Sequence, residues 1–518
     1  MSRLAPIFVL LLLLAGAPAA AQSATPIAAP TIDAWVDVAP TDRAAVRQEV
    51  ADSLHHYRID AVFDPERATI AADAAVLFRN TTTVALSEIY FRLFPNAAYY
   101  GDGALDIGPM LANGQPAATT LEVDGTALRV DLPELAQPGD AVALAFSFTT
   151  TVPADSSGSF GIFNHDTRAG TWVLSDWHPV LAVYDEGFGW NIPPPTDAGD
   201  PTYAASALFD VRLTAPAEMT AVASGVVVEK ATQHGMTTRR FIAGPAREFT
   251  MLVDDDATSV QAARDGVTVV VHTQSGGVSA DIATDVAEMA ADMLVRFGER
   301  FGPYPFTELD LAEADLDGAY AVAWSGIIFL DRSLMFGGLA SGDRVAFETV
   351  LAHEISHLWW GAMVGSDSNT HAFINEGLAT VSSLGYLRWS EQDDALVQSL
   401  DRWVAGPARS LLAHGDAVVD LPAADGQNAA ARSWATYGKG ALGFLAIRQA
   451  LGEEAFWGAL GAYARAERFR IATPADLLAA FATASDEPLE PIWREWFEDT
   501  ALTSEQIAEV TTAFADGT

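Results

Sequence analysis

The 518-residue chain contains no cysteine. Disulfide staples, thiolate zinc knuckles and cysteine nucleophiles are excluded together, so any metal must be held by His, Asp or Glu. Positive charge is scarce: 29 Lys and Arg face 68 Asp and Glu, for a formal net charge of -39. A surface that acidic repels phosphate backbones and anionic membranes, which argues against nucleic acid as a partner. Long apolar runs are missing too. The run from Ile7 to Leu14 is far shorter than the roughly 20 residues a spanning helix needs, so stable membrane insertion is not expected. Half of the residues are nevertheless hydrophobic and 10% are aromatic, which is ample for a folded core and excludes a mainly disordered chain.

The N-terminus has the layout of an export signal: Arg3, the apolar run, then the small residues Ala19-Ala20-Ala21. Residues 1–21 are therefore expected to be removed on export, leaving a periplasmic or extracellular protein. Residues 22–50 are rich in Ala, Pro, Thr and Asp and read as a leader. A β domain is expected over 51–256. Val142, Leu144, Phe146 and Phe148 alternate, as do Phe209, Val211 and Leu213, the period of half-buried strands. Asp124-Gly125 between Leu121-Glu122-Val123 and Leu128-Arg129-Val130 predicts a tight hairpin. Over 257–518 helical spacing takes over. Ile282, Val286, Met289, Met293 and Phe297 form one face of an amphipathic helix, and further helices are expected near 343–360, 373–389, 437–450, 453–466 and 474–484.

The strongest local pattern is His353-Glu354-Ile355-Ser356-His357, inside the apolar stretch from Val350 to Trp360. On a helix, residues i and i+4 share a face, so both imidazoles reach one ion while Glu354 stands beside it. Neutral imidazoles suit zinc, and a catalytic zinc takes three protein ligands and keeps a fourth position for water. Glu376, in Asn375-Glu376-Gly377-Leu378 after an 18-residue spacer, supplies the third ligand from a second helix. One Zn2+ per chain is expected, with Glu354 as general base. His371 matches no ligand spacing and is read as solvent-facing or as an outer support. His55-His56, adjacent on a strand, point to opposite faces and do not share a metal.

With these motifs the sequence resembles the M1 metallopeptidases, the gluzincin family of aminopeptidase N and leukotriene A4 hydrolase. Supporting segments are Phe301-Gly302-Pro303-Tyr304-Pro305, Arg92-Leu93-Phe94-Pro95-Asn96 and Tyr437-Gly438-Lys439-Gly440-Ala441, so the likeness covers about residues 51 to 500. It implies an α+β multidomain fold: an N-terminal β-sandwich or saddle followed by a mainly helical, thermolysin-like catalytic domain. It also implies peptide substrates and a catalytic role for Tyr437, donating its hydroxyl to the oxyanion. The chain stops soon after Trp493 to Phe497, so the large C-terminal helical-repeat domain of many members is expected to be absent and the cleft more open.

One family feature is altered. The exopeptidase segment Gly-x-Met-Glu-Asn, whose Glu binds the substrate's α-amine, corresponds here to Tyr320-Ala321-Val322-Ala323-Trp324, followed by Ser325-Gly326-Ile327-Ile328. Ala323 stands where the Glu belongs. Ala323, Trp324 and Gly326 are the candidate substrate-binding positions, and Trp359, Trp360 and Phe373 are read as core before pocket. No Gln-x-Glu segment supplies a second amine-binding carboxylate; only Asp176, Asp185 and Glu186 lie near that part of the β domain. Glu313, Asp315 and Asp317 are the nearby acids that could substitute, against the plainer reading of a solvated loop. The reading is thus a zinc peptidase in which exo- or endopeptidase action is open. The alternatives are a non-catalytic binding or scaffold protein on a peptidase fold, and a zinc hydrolase of a non-peptide substrate such as an epoxide.

Overall fold

The computed structural model describes residues 33–197, 203–274, 276–340, 342–422 and 428–517. The expected export signal and the first part of the leader, up to residue 32, lie outside them. Strands dominate up to residue 273 and helices from residue 280 onward.

The alternating segments of the first half build one large sheet. Its main strands are β1 (His55–Asp64), β2 (Thr69–Arg79), β3 (Ala141–Thr151), β4 (Ala207–Pro216), β5 (Val226–Gln233) and β6 (Met236–Ala246), in the order β5-β6-β4-β1-β2-β3. Pairing is antiparallel except between β1 and β4, where His55 lies opposite Ala207 in parallel register. Val142, Leu144, Phe146 and Phe148 of β3 and Phe209, Val211 and Leu213 of β4 all face inward, as period-2 alternation requires. The Asp-Gly hairpin forms as expected: strands 119–122 and 127–136 pair from Glu122 to Ala127, with Asp124 at φ +52° and Gly125 at φ +85°. Two four-stranded sheets, one over 163–254 and one over 86–181, complete this half.

A second, five-stranded sheet belongs to the catalytic half. Its strands are β7 (Thr258–Arg264), β8 (Val267–Thr273), β9 (Glu308–Ala314), β10 (Ala321–Trp324) and β11 (Ile327–Asp331), in the order β7-β8-β9-β11-β10. Among the described residues β10 is therefore an edge strand, paired only to β11. The helices that matter for the site are α1 (Arg43–Val50), α2 (Ala280–Phe301), α3 (Arg344–Ser356), α4 (Leu378–Trp389) and α5 (Ala441–Leu451). The expected apolar face of α2 is buried from Val286 through Met289 and Met293 to Phe297. No helix of the described residues is long and apolar enough to cross a membrane.

The described part of the expected leader is packed rather than extended. Trp35, Val38, Val46 and Val50 are buried in the core of the catalytic half. Main-chain bonds tie it there: Ala39 N donates to Pro305 O at 2.8 Å and Thr307 N to Asp37 O at 3.0 Å. The physical reason is the spacing Trp35, Val38, Val46, Val50, an apolar set too sparse to read as periodic. Arg247, just after β6, joins segments that are distant in sequence. Its guanidinium donates to the carbonyls of Ala204 (2.9 Å), Gly361 (2.7 Å), Met363 (3.0 Å) and Arg470 (2.7 Å).

Candidate active site and metal centre

α3 is buried on nearly every side: apolar Ala346, Phe347, Val350, Leu351, Ala352 and Ile355 are spread round it, and polar Glu348, Thr349, Glu354 and Ser356 are buried with them. From Ala346 to Ser356 only His353 escapes burial, and it opens onto a cleft of about 770 Å³. His357 caps the C-terminal end of the same helix. Glu376 comes from a single π-helical turn, Phe373–Gly377, that leads into α4. The widened turn swings its carboxylate toward α3, a use of π-turns common at functional sites.

The three expected ligands converge. His353 Nε2 lies 3.1 Å from His357 Nε2 and 3.2 Å from Glu376 Oε2, and His357 Nε2 lies 3.5 Å from the same oxygen. Ligands about 2.1 Å from a tetrahedral ion sit about 3.4 Å apart, so this donor set fits zinc in both chemistry and spacing. It is also the single such cluster of His, Asp and Glu among the described residues. His357 Nδ1 faces Asn375 Oδ1 at 2.7 Å and Trp360 O at 3.0 Å. Both are acceptors, so Nδ1 carries the proton and Nε2 keeps its lone pair for the metal. Burial pushes the Glu376 carboxyl up, but His357 and hydrogen bonds from both histidines outweigh it and hold it well below the usual range.

Glu354 is buried beside this cluster. Burial raises its pKa above the ordinary carboxylate value, against the pull of His357 and His353 and with the help of Glu376. Tyr437 lies on a second π-helical stretch, Trp434–Gly440, ahead of α5. Its ring centroid is 6.0 Å from that of His353, and its hydroxyl is hydrogen-bonded to Glu376. Burial first, then Glu376, hold the phenol well above its usual pKa, so it remains a donor. The neighbouring motif residues are structural. Lys439 Nζ is fully buried on Asp416 (3.0 Å to both oxygens), Ala417 O and Asp499 O. A Cβ on Gly438 would come within 2.6 Å of Ala408 N, so only glycine allows that approach.

The other expected positions divide. Ala323 and Trp324 line the cleft, as part of edge strand β10. Trp324 is nonetheless 2% exposed and packed on Phe329, so its indole is mostly core. Gly326 is not in the cleft wall. It sits at φ +78° in the turn between β10 and β11, where its open side meets Gly225. Trp359, Trp360 and Phe373 are core. His371 is bound to Asp420 rather than to the metal cluster. Glu313 is buried on Arg332 Nε (3.0 Å) and Gln274 N (3.1 Å), while Asp315 and Asp317 line a separate depression with Asp155 and Asp166. None of these three acids faces the metal cluster.

Sequence reasoning missed several cleft residues: Glu248, Arg432, Tyr320, Trp403 and Trp434. Arg432 lies in the short helix Ala429–Ser433, five residues before Tyr437 on the π-helical stretch that follows, a spacing ordinary helical periodicity does not put on one face. Glu248 arrives from the β half, beyond the reach of any local pattern.

Residues 286–496 match the peptidase family M1 domain. The rice (Oryza sativa subsp. japonica) aminopeptidase M1-A is 28% identical over 301 residues, which cover 56% of this chain and 34% of the relative. Aminopeptidase N of Acetobacter pasteurianus is 28% identical over 204 residues, 37% of this chain and 53% of the relative. The matched region thus spans about a third of the plant relatives' length. The crystal structure of an M1 zinc metallopeptidase from Deinococcus radiodurans superposes with a TM-score of 0.63 at 20% identity, covering 87% of this chain and 95% of that one. A mutant of that protein bound to a Tyr-Ser-Ala substrate superposes with a TM-score of 0.62 over the same shares. That likeness shows the two-domain fold. The matched M1 domain, residues 286–496, holds the converging His353, His357 and Glu376.

Proposed function

We propose that this protein hydrolyses peptide bonds with one zinc ion held by His353, His357 and Glu376. The observation that carries the reading is the convergence of those three donors, at zinc spacing, in a cleft that also holds Glu354 and Tyr437. Bound there, Zn2+ supplies a Lewis acid and lowers the pKa of a coordinated water. Glu354, raised by burial, accepts a proton from the attacking water and passes it to the leaving amine. Tyr437, kept protonated, donates its hydroxyl toward the oxygen that becomes negative at the scissile carbonyl. The open edge of β10 offers backbone N–H and C=O groups against which an extended peptide can align.

The same reading divides the chain into a β domain over 51–256 and a catalytic domain over 257–518, and takes residues 1–21 as an export signal. Support for export is the run from Arg3 to Ala21 in sequence alone. N-terminal sequencing of the exported product tests it: a mature start at Gln22 is expected, and an intact Met1 refutes it.

Hydrolysis is tested with purified residues 22–518 and a Glu354→Gln variant on a defined peptide mixture. The variant is expected to bind one zinc and lose about 100- to 10,000-fold in turnover. Undiminished turnover by Glu354→Gln refutes the mechanism. Full zinc occupancy with no turnover by the unmodified protein favours the scaffold alternative.

A further inference from the structure

Glu376 and Tyr437 come from two π-helical stretches, Phe373–Gly377 and Trp434–Gly440, and one loop segment, 416–420, is tied to both. At one end Asp416 accepts from Lys439 Nζ, two residues past Tyr437, at 3.0 Å on each oxygen. At the other end Asp420 Oδ1 is hydrogen-bonded to Nδ1 of His371, which lies five residues before Glu376. The segment is braced from behind. Val419 N and Asp420 N both donate to Phe497 O at 3.0 Å, and Leu502 N donates to Asp416 Oδ2 at 2.8 Å. The Phe497 ring stacks at 4.6 Å on Phe373, the first residue of the turn that carries Glu376.

His371 stands where the short helix Ser368–Ala372 gives way to that turn. Its backbone leaves helical geometry, at φ −124° and ψ 48°, while its N still donates to Asp367 O at 2.7 Å. The side chain pins this break: the ring is 31% exposed and Asp420 19%, so the pair is largely shielded from water. The charged groups that face the ring are Asp420 and Asp367. Burial pulls the His371 pKa down, but the hydrogen bond and charge of Asp420, with Asp367 behind them, outweigh it and favour the charged ring. A charge-assisted bond of that kind is shorter and stronger than a neutral one. Asp367 is engaged as the helix cap, accepting from Asn369 N at 3.0 Å and Thr370 Oγ1 at 2.9 Å. A second tie across the same joint, from Arg432 Nη2 to Ser368 O, is longer at 3.3 Å.

We propose, resting on the peptidase reading above, that the His371–Asp420 pair is a positioning latch. Through residues 416–420 it holds the turn of Glu376 and the stretch of Tyr437 at a fixed separation, and so keeps the Tyr437 hydroxyl in place beside the metal site. His371 is a positioning residue: it acts through where Tyr437 stands. A displacement of about 1 Å at a reacting group costs on the order of 100-fold in rate. A tie outside the cleft therefore has leverage on turnover without a share in the chemistry.

The test measures kcat and KM at saturating zinc, on the best-cleaved peptide of the defined mixture. His371→Leu is expected to lose about 10- to 100-fold in kcat at unchanged KM. Asp420→Asn, which keeps an acceptor for His371 Nδ1, is expected to stay within about threefold of the unmodified protein, while Asp420→Leu falls as far as His371→Leu. On a Tyr437→Phe background, His371→Leu is expected to add less than about threefold, because the two changes act through one hydroxyl. Unchanged kcat in His371→Leu, a loss confined to KM, or the full loss repeated on the Tyr437→Phe background overturns the proposal. In each of those cases, hydrolysis that still requires Glu354 leaves the peptidase reading standing. If no peptide is cleaved the peptidase reading fails, and crystal structures of the zinc-loaded unmodified and His371→Leu proteins decide the latch without turnover. A Tyr437 hydroxyl displaced by about 1 Å or more supports it, and an unmoved one overturns it. Should a single variant fail to fold, the paired His371→Leu, Asp420→Leu protein, which leaves neither charge unpartnered, takes its place in the same comparisons.

Discussion

Asn375 Oδ1 lies 2.7 Å from His357 Nδ1, on the turn that also carries Glu376. One five-residue turn thus carries one donor of the candidate metal site and fixes the tautomer of another. Asn375→Ala is expected to weaken zinc binding roughly 10- to 100-fold by removing that support. Competition with a chromophoric chelator measures it. Unchanged zinc affinity would falsify this role for the 2.7 Å contact.

Tyr437 is held protonated against Glu376, next to His353. Tyr437→Phe removes one hydroxyl from a buried site and should leave zinc occupancy intact. Turnover is expected to drop about 100- to 1,000-fold in kcat with little change in KM. A fall confined to KM would assign the hydroxyl to ground-state binding instead.

Arg247 bonds four carbonyls drawn from three distant segments. Arg247→Met strands those acceptors in the interior, at a cost of about 3 to 5 kcal/mol in unfolding free energy. Arg247→Lys is expected to recover only part of it, because one ammonium cannot reproduce a planar fork of donors. Denaturant melts of the three proteins check the order Arg, Lys, Met.

Asp37 accepts Gly244 N at 3.0 Å and is pushed up to about 7, by burial first, against that hydrogen bond, with Glu308 and Asp310 adding to the rise. Glu308, raised to about 7 by burial and then by Asp310, behaves alike. The folded chain therefore keeps protons that the unfolded chain releases near pH 4. The associated stability is complete below about pH 4 and is lost as pH rises to about 7. For Asp37 alone this amounts to at most about 4 kcal/mol. Asp37→Asn, which cannot ionise, is expected to gain on the unmodified protein by a few kcal/mol between about pH 5 and pH 8. Urea melts at both pH values check the sign. A constant offset would show that Asp37 does not titrate in this range.

The metal cluster was legible in sequence because its logic is local. His353 and His357 are one helical turn apart, and Glu376 sits on the next helical segment, so spacing alone brings them within reach of one ion. The strand alternation of β3 and β4 and the face of α2 were legible for the same reason. Asp124-Gly125 was legible through its backbone preference. Gly326 misled, because a residue close to the cleft in sequence is turned away by a two-residue turn. The packed segment over 33–50 was hidden by its sparse apolar residues, and Arg432 by the change from α-helix to π-helical stretch between it and Tyr437.

Local periodicity and side-chain chemistry therefore determined the candidate zinc donors and the two-part architecture, while the family resemblance pointed to Ala323 as the place of a missing carboxylate. Only the tertiary structure decided how the β half meets the turn after β10. Glu248 reaches Ser325 across 77 residues of chain, through contacts between two separately patterned halves. No period, cap or motif encodes such a contact, because the burial of apolar faces that brings the halves together is non-directional. The hydrogen bonds that give the contact its geometry form only once those faces have met.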